Sequence, residues 1–181
     1  LQFLFTPGAK HQYSGEGFEY LRKALEAKFS TSLEQLATRL VFEPAGMRDT
    51  YFWWEPSVDE TRYALNHDAS GNPLPLEKYD EANAAANLLT TIDDYSRFLA
   101  FVMRQKERMP ALYQAMIAPQ VTLGDNAFFG LGWQILAGFP DNELALLHSG
   151  KDPVVNTLAV FFPKSNNGYV IFFNGDNTLP V

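Results

Sequence analysis

Along the early part of the chain, apolar positions recur three and four residues apart; after the segment PALYQAMIAP they give way to short strand-like runs. FEYLRKALEAKF (18–29) places Phe18, Leu21, Leu25 and Phe29 on one face of a helix. STSLEQLATRLVFEP (30–44) opens on cap candidates, with Ser32 and Gln35 at capping-box spacing, and Pro44 is expected to stop the helix. Thr91 and Asp94 repeat the cap spacing ahead of a second amphipathic helix with Tyr95, Phe98, Leu99 and Val102 on its apolar face. Asp93 and Asp94 suit the positive end of that helix dipole. FEYL and YSRFLAFV thus read as ordinary core faces. PALYQAMIAP is a short helix with Pro110 at its first position.

Four later runs, GLGWQIL, NELALLHSG, VNTLAVFFP and GYVIFFNG, are bounded by Gly, Pro and Asn and predict strands. The short turns between them favour an antiparallel sheet. Helices over about 16–118 followed by strands over about 128–174 make one α+β domain across 1–181. RYALNHDASGNPLPL (62–76) reads as two extended pieces around a Ser-Gly-Asn-Pro turn, a surface hairpin or loop.

Composition narrows the function classes. With 181 residues, 46% of them hydrophobic and 14% aromatic, the chain can bury a sizeable core. A net charge of −7 and the lack of a basic stripe argue against a nucleic-acid partner. Without cysteine there are no disulfides or thiolate metal sites, which leaves the compartment open. His11, His67 and His148 lack ligand spacing, and GLGW is no dinucleotide fingerprint, so neither a metal nor a cofactor is expected. No apolar run is long enough for a transmembrane segment, and no signal-peptide pattern is present. The opening LQFLF reads as the middle of a fold, so an N-terminal portion is expected to precede it.

Candidate chemistry begins in TPGAKHQYSGEGFEYL (6–21). Pro7-Gly8 is a turn signal, and Gly15 and Gly17 keep the backbone permissive just before the helix. Tyr13 sits on this constrained approach, where its phenol could face a cleft. The plain alternative is a packed aromatic, the default for any one of eight Tyr. His148, ending an apolar strand, reads equally as a hydrogen-bonded structural residue, and no nucleophile elbow surrounds Ser149. The cluster Tyr51, Phe52, Trp53 and Trp54 either packs the helical region or in part walls a cleft.

Several stretches in order carry a resemblance. TPGAKHQYSGEGFEYL is similar to a Pro-Gly turn followed by a Tyr-x-Asn element; FEPAGMRDTYF, AAANLLTTIDDYSRFL and FGLGWQIL come next; HSGKDPVVNTLAVFFPKSNNGYVIFFNGDN is similar to a Lys-Thr-Gly or His-x-Gly motif with two core strands. From about Thr6 to Asn174 the chain resembles the serine β-lactamase/penicillin-binding-protein family, in its branch of class C-like β-lactamases, D-aminopeptidases and carboxylesterases. The resemblance implies the β-lactamase/transpeptidase-like fold, with an N-terminal segment and a C-terminal helix beyond this chain. It also implies acyl-enzyme chemistry by the Ser of an S-x-x-K motif on an ester, amide, D-amino-acid peptide or β-lactam carbonyl.

Under that resemblance Tyr13 matches the proton-transfer tyrosine, and His148, Ser149 and Gly150 match the third motif. Lys151 falls where a backbone N–H completes the oxyanion hole. Gly15 stands where an Asn commonly contacts substrate, and with His148 in place of Lys it points to the esterase and peptidase side. Asn87 interrupts a usual Gly-Gly, and Val154-Val155 replace a Gly-aromatic pair. No Ser or Thr is followed three residues later by Lys, so the chain is expected to be inactive alone. The implied partners are a small-molecule or peptide substrate and the missing N-terminal segment of the same protein. The implied location is the periplasm or cell envelope. Two other readings stand beside this one: a non-catalytic relative that binds peptides or cell-wall fragments, and a fragment with no role of its own.

Overall fold

In the computed structural model, which describes residues 4–6 and 8–175, the chain runs through helices first and then a six-stranded sheet. Pro7, the opening 1–3 and the closing 176–181 lie outside the described residues. The turn itself is visible at Gly8, whose φ of +84° suits glycine, and at Ala9, whose N–H donates to the Thr6 carbonyl at 3.0 Å.

Helix α1 (Gly15–Phe29) starts at Ser14, whose Oγ accepts from Gly17 N, and ends at Ser30 in the left-handed region. Arg22 pairs with Glu19 and Glu26 along one side, at spacings of three and four. Its apolar stripe departs from expectation. No α1 residue is buried, and Phe18, Leu21 and Phe29 are exposed, Leu21 by 52%. The helical period is present, but the stripe faces outward instead of joining the core.

Helix α2 (Leu33–Ala37) is capped as predicted, Ser32 Oγ accepting from Gln35 N at 3.2 Å. Pro44 does not stop the helical run. A π-turn (Thr38–Phe42) widens the backbone, and α3 (Glu43–Ala45) carries Pro44 in its first turn. A proline there needs no N–H partner, so the helix continues to Gly46, left-handed at φ 78°. Phe42, Ala45 and Met47 form a small buried cluster beside Phe98 and Phe101.

Helix α4 (Ile92–Arg108) starts at Thr91, whose Oγ1 accepts from Asp94 N at 3.1 Å. Asp94 does more than complement a dipole. It is buried and accepts from Asp49 N at 2.6 Å and Thr50 Oγ1 at 2.9 Å, fastening the 46–50 turn to α4. Arg97 completes the joint by donating to the Gly46 carbonyl. Helix α5 (Pro110–Ile117) comes next, with Pro110 first as expected.

The sheet is an antiparallel meander in chain order: β1 (Val121–Gly124), β2 (Ala127–Phe129), β3 (Gln134–Leu136), β4 (Ala145–Asp152), β5 (Val155–Phe162) and β6 (Asn167–Phe173). The last four are the predicted strands. β1 and β2 carry no sequence signal, being short and without a buried residue to mark a pattern. Ile135 pairs with Leu146 and Leu146 with Phe161, stacking three core residues across neighbouring strands against α4. Trp133 meets Phe161 edge-on at 5.0 Å and stacks on Phe98 at 6.3 Å, joining sheet to helix. The 62–76 segment forms its turn around Asp68, whose Oδ1 accepts from Ser70 N and Asn72 N, and His67 bridges to Pro73 and Gly175.

Candidate active site

Two elements far apart in sequence meet at one cleft of about 610 Å³. One is the approach to α1, with Tyr13 and Gly15; the other is the end of β4, with Lys151 and Asp152. Between them lies a wall formed by Asn83, Ala85 and Ala86. Asn83 shapes that wall as an Asx turn, its Oδ1 accepting from Ala85 N at 2.8 Å and Ala86 N at 3.1 Å.

Tyr13 is aimed by its neighbours. Ser14 is committed to capping α1, which fixes the backbone just after the phenol-bearing residue. The ring leans on Phe18 at 6.1 Å, and the side chain is 67% exposed, leaving the hydroxyl open to the cleft. At Gly15 an added Cβ would meet only Ala85 Cβ at 3.6 Å and the Tyr13 hydroxyl at 3.9 Å, both ordinary contacts. Gly15 therefore keeps space open beside Tyr13 and is not required by backbone strain. Gly15→Asn is accordingly expected to change stability by no more than about 1 kcal/mol, with its amide projecting into the cleft. Thermal unfolding checks this; a large drop in Tm would mean the wall cannot accept a side chain.

The third-motif residues divide. Period-two alternation puts Leu146, His148 and Gly150 on the sheet face packed against α4, and Ser149 and Lys151 on the other. Lys151 lines the cleft where β4 runs out; His148, Ser149 and Gly150 lie further back along the strand, outside the cleft lining. Part of His148 reaches solvent, yet Trp133 stands edge-on to its ring at 6.3 Å, and the loss of water around the imidazole lowers its pKa. The neutral form is therefore favoured, and His148 provides no fixed cation for the phenol. At Gly150, a Cβ would stand 2.6 Å from Thr157 Oγ1 of the paired strand, so any larger residue forces Thr157 to rotate.

Sequence reasoning missed part of this site. Glu16, Glu19, Tyr20 and Lys23 also line the cleft. They share the helical period of the apolar stripe, one face round, and that polar face was the available signal. Glu19 is structural: its carboxyl is held low by the Arg22 guanidinium, then by Ala84 N, and so ties α1 to the Asn83 wall. Asn83 lies just before the quoted AAANLLTTIDDYSRFL stretch, and although Ala85 and Ala86 lie inside it, nothing in that stretch marks them as cleft wall, because their role comes from the turn they form. Asn87, where the resemblance expects glycine, adopts a left-handed φ of 66°, which Asn tolerates better than other residues with a Cβ. Among the described residues, no group of three or more His, Cys, Asp or Glu is placed to hold a metal ion.

The Beta-lactamase family model matches residues 1–181, and the chain belongs to the beta-lactamase family. A search of curated proteins returned no match. Among solved structures, an octameric penicillin-binding protein homologue from Pyrococcus abyssi superposes with a TM-score of 0.83 at 21% identity, covering 98% of this chain and 41% of that one. A class C beta-lactamase variant gives a TM-score of 0.82 at 17% identity, covering 99% of this chain and 57% of that one. A penicillin-binding protein from Bacillus halodurans gives 0.76 at 22%, covering 94% and 53%. The helices and antiparallel sheet are those of the β-lactamase/transpeptidase-like fold, and the chain spans 41% to 57% of the length of these three proteins.

Proposed function

We propose that this chain supplies the tyrosine and strand side of a serine hydrolase that works through an acyl-enzyme. The observation that carries the reading is the meeting of Tyr13 and Lys151 at one cleft, from opposite ends of the chain. A Ser-x-x-Lys segment outside this chain would provide the nucleophile. Tyr13 would move the proton to and from that serine. The Lys151 backbone N–H would stabilise the oxyanion, while Ser149 and Gly150 extend the substrate-binding strand and His148 supports it from the packed face.

The open space at Gly15, where the family pattern has an Asn amide, supports an ester or a peptide amide as substrate. The partners are then a small-molecule or peptide substrate and the segment bearing Ser-x-x-Lys; a place in the cell envelope accords with the family. The chain alone is expected to be inactive, since no Ser-x-x-Lys occurs in it. That same absence supports a second reading, a relative that binds peptides or cell-wall fragments without turning them over.

One experiment separates the two. The chain is combined with a polypeptide carrying Ser-x-x-Lys, and hydrolysis of a chromogenic ester and of a chromogenic β-lactam is followed. Turnover that appears only on assembly supports the hydrolase. A folded complex that binds a peptide yet turns over neither substrate sinks it and leaves the binding reading.

A further inference from the structure

Two glutamates of α1 share one arginine, and each sends its other oxygen to a different part of the chain. Arg22 Nε and Nη2 donate to Glu19 Oε2 at 2.9 and 2.8 Å, and Arg22 Nη1 donates to Glu26 Oε2 at 3.3 Å. Glu19 Oε1 accepts from Ala84 N, in the cleft wall, at 2.5 Å. Glu26 Oε1 accepts from Leu33 N, in the first turn of α2, at 2.9 Å. All three side chains are largely covered, with 18% exposure at Arg22 and 26% at each glutamate. The planar guanidinium holds its donors at fixed angles, so it sets where the two carboxylates stand relative to each other.

We propose that Arg22, which does not itself line the cleft, is a positioning residue: through Glu19 it clamps the 83–86 turn against the start of α1 and so fixes the width of the cleft beside Tyr13. The turn depends on that contact. Asn83 Oδ1 takes the N–H groups of Ala85 and Ala86, which shapes the turn from within. Among the described residues, the bond from Ala84 N to Glu19 is the one hydrogen bond joining 83–86 to another segment.

Glu19 stands one helical turn beyond Gly15, on the same face of α1. Ala85 Cβ lies 3.6 Å from the place a Cβ at Gly15 would take. The wall therefore meets α1 at two points, a hydrogen bond at Ala84 and a close approach at Ala85. Releasing the first leaves only the second, and the space beside the Tyr13 hydroxyl widens. Glu26 braces Arg22 from the far end, anchoring the guanidinium across the junction of α1 and α2. The clamp acts on the wall whatever the cleft takes; only its effect on turnover rests on the hydrolase reading.

Hydrogen exchange at Ala84, Ala85 and Ala86, followed by NMR in the protein that contains this chain, tests the clamp. Arg22→Met and Glu19→Ala are each expected to speed exchange there about threefold to tenfold, with the amides of β4 and β5 unchanged. Because Arg22 acts through Glu19, the double variant should be no faster than Glu19→Ala alone. Arg22→Lys, which keeps the charge but not the planar fork, is expected to lie between the wild type and Arg22→Met, and it decides the matter if the methionine variant does not fold. In the assembly with a Ser-x-x-Lys segment, Arg22→Met should raise KM about threefold to tenfold with kcat little changed, since a wider cleft weakens binding and leaves the Tyr13 hydroxyl in place. Unchanged exchange in the Arg22 variants, or additive effects in the double variant, overturns the clamp. A loss of kcat at constant KM overturns its assignment to the wall. An assembly without turnover counts against the hydrolase reading alone, and the exchange result then decides the clamp.

Discussion

Under the proposed function, Tyr13→Phe, made in the assembly of this chain with a Ser-x-x-Lys segment, is expected to lower kcat by about 10²–10⁴-fold, the range a positioned proton-transfer group contributes. The substitution removes the hydroxyl and keeps the ring that leans on Phe18, so the fold should not respond. Because the side chain is largely exposed, no buried hydrogen bond is lost with the hydroxyl. Steady-state kinetics alongside thermal unfolding checks both halves. An unchanged Tm with kcat reduced in that range assigns the phenol to the chemistry. Unchanged kcat would make Tyr13 a surface aromatic.

The largest effect on stability is expected at Phe161. Its side chain is fully buried, pairs with Leu146 across β4 and β5, and meets the edge of Trp133 at 5.0 Å. Phe161→Ala removes a ring from the contact between sheet and α4, and should cost about 3–5 kcal/mol by transfer and cavity terms together. Chemical denaturation measures it. Since β5 also holds β4 in register from Leu146 to Asp152, the loss should reach the Lys151 end of the cleft as higher amide exchange. A change under about 1 kcal/mol would mean that the Trp133 cluster is not the centre of the core.

Most of the sheet was legible because its strands are long enough to show bounded apolar runs; β4, β5 and β6 each carry seven or eight residues. β3 is as short, but Ile135 within it and Trp133 beside it are buried and belong to a bounded apolar run, whereas β1 and β2, with four and three residues, have no buried residue to mark one. The caps at Ser32 and Thr91 were readable because a hydroxyl three residues before an N–H is a local arrangement. Two misreadings have a common origin. The stripe Phe18, Leu21, Phe29 is helical in spacing but exposed, and Pro44 sits in a helix that a π-turn has widened. Periodicity reports a helix face, not what covers it, and proline reports a missing N–H, not the turn type around it.

The site was legible in its two ends only. Tyr13 and Lys151 were named from the ordered motifs, but the wall of Asn83, Ala85 and Ala86 and the polar face of α1 arise from tertiary placement. His148 was chosen for its motif, and the Trp133 ring that stands edge-on to it is a long-range contact between β4 and the residue before β3.

The most direct test of the acyl-enzyme proposal is intact-mass spectrometry of the assembled protein after exposure to a slowly hydrolysed ester or β-lactam. The expected result is one acyl adduct, on the serine of a Ser-x-x-Lys segment outside residues 1–181, accumulating more slowly when Tyr13 is replaced by phenylalanine. An adduct carried by this chain itself, or saturable binding with no adduct at all, would contradict it.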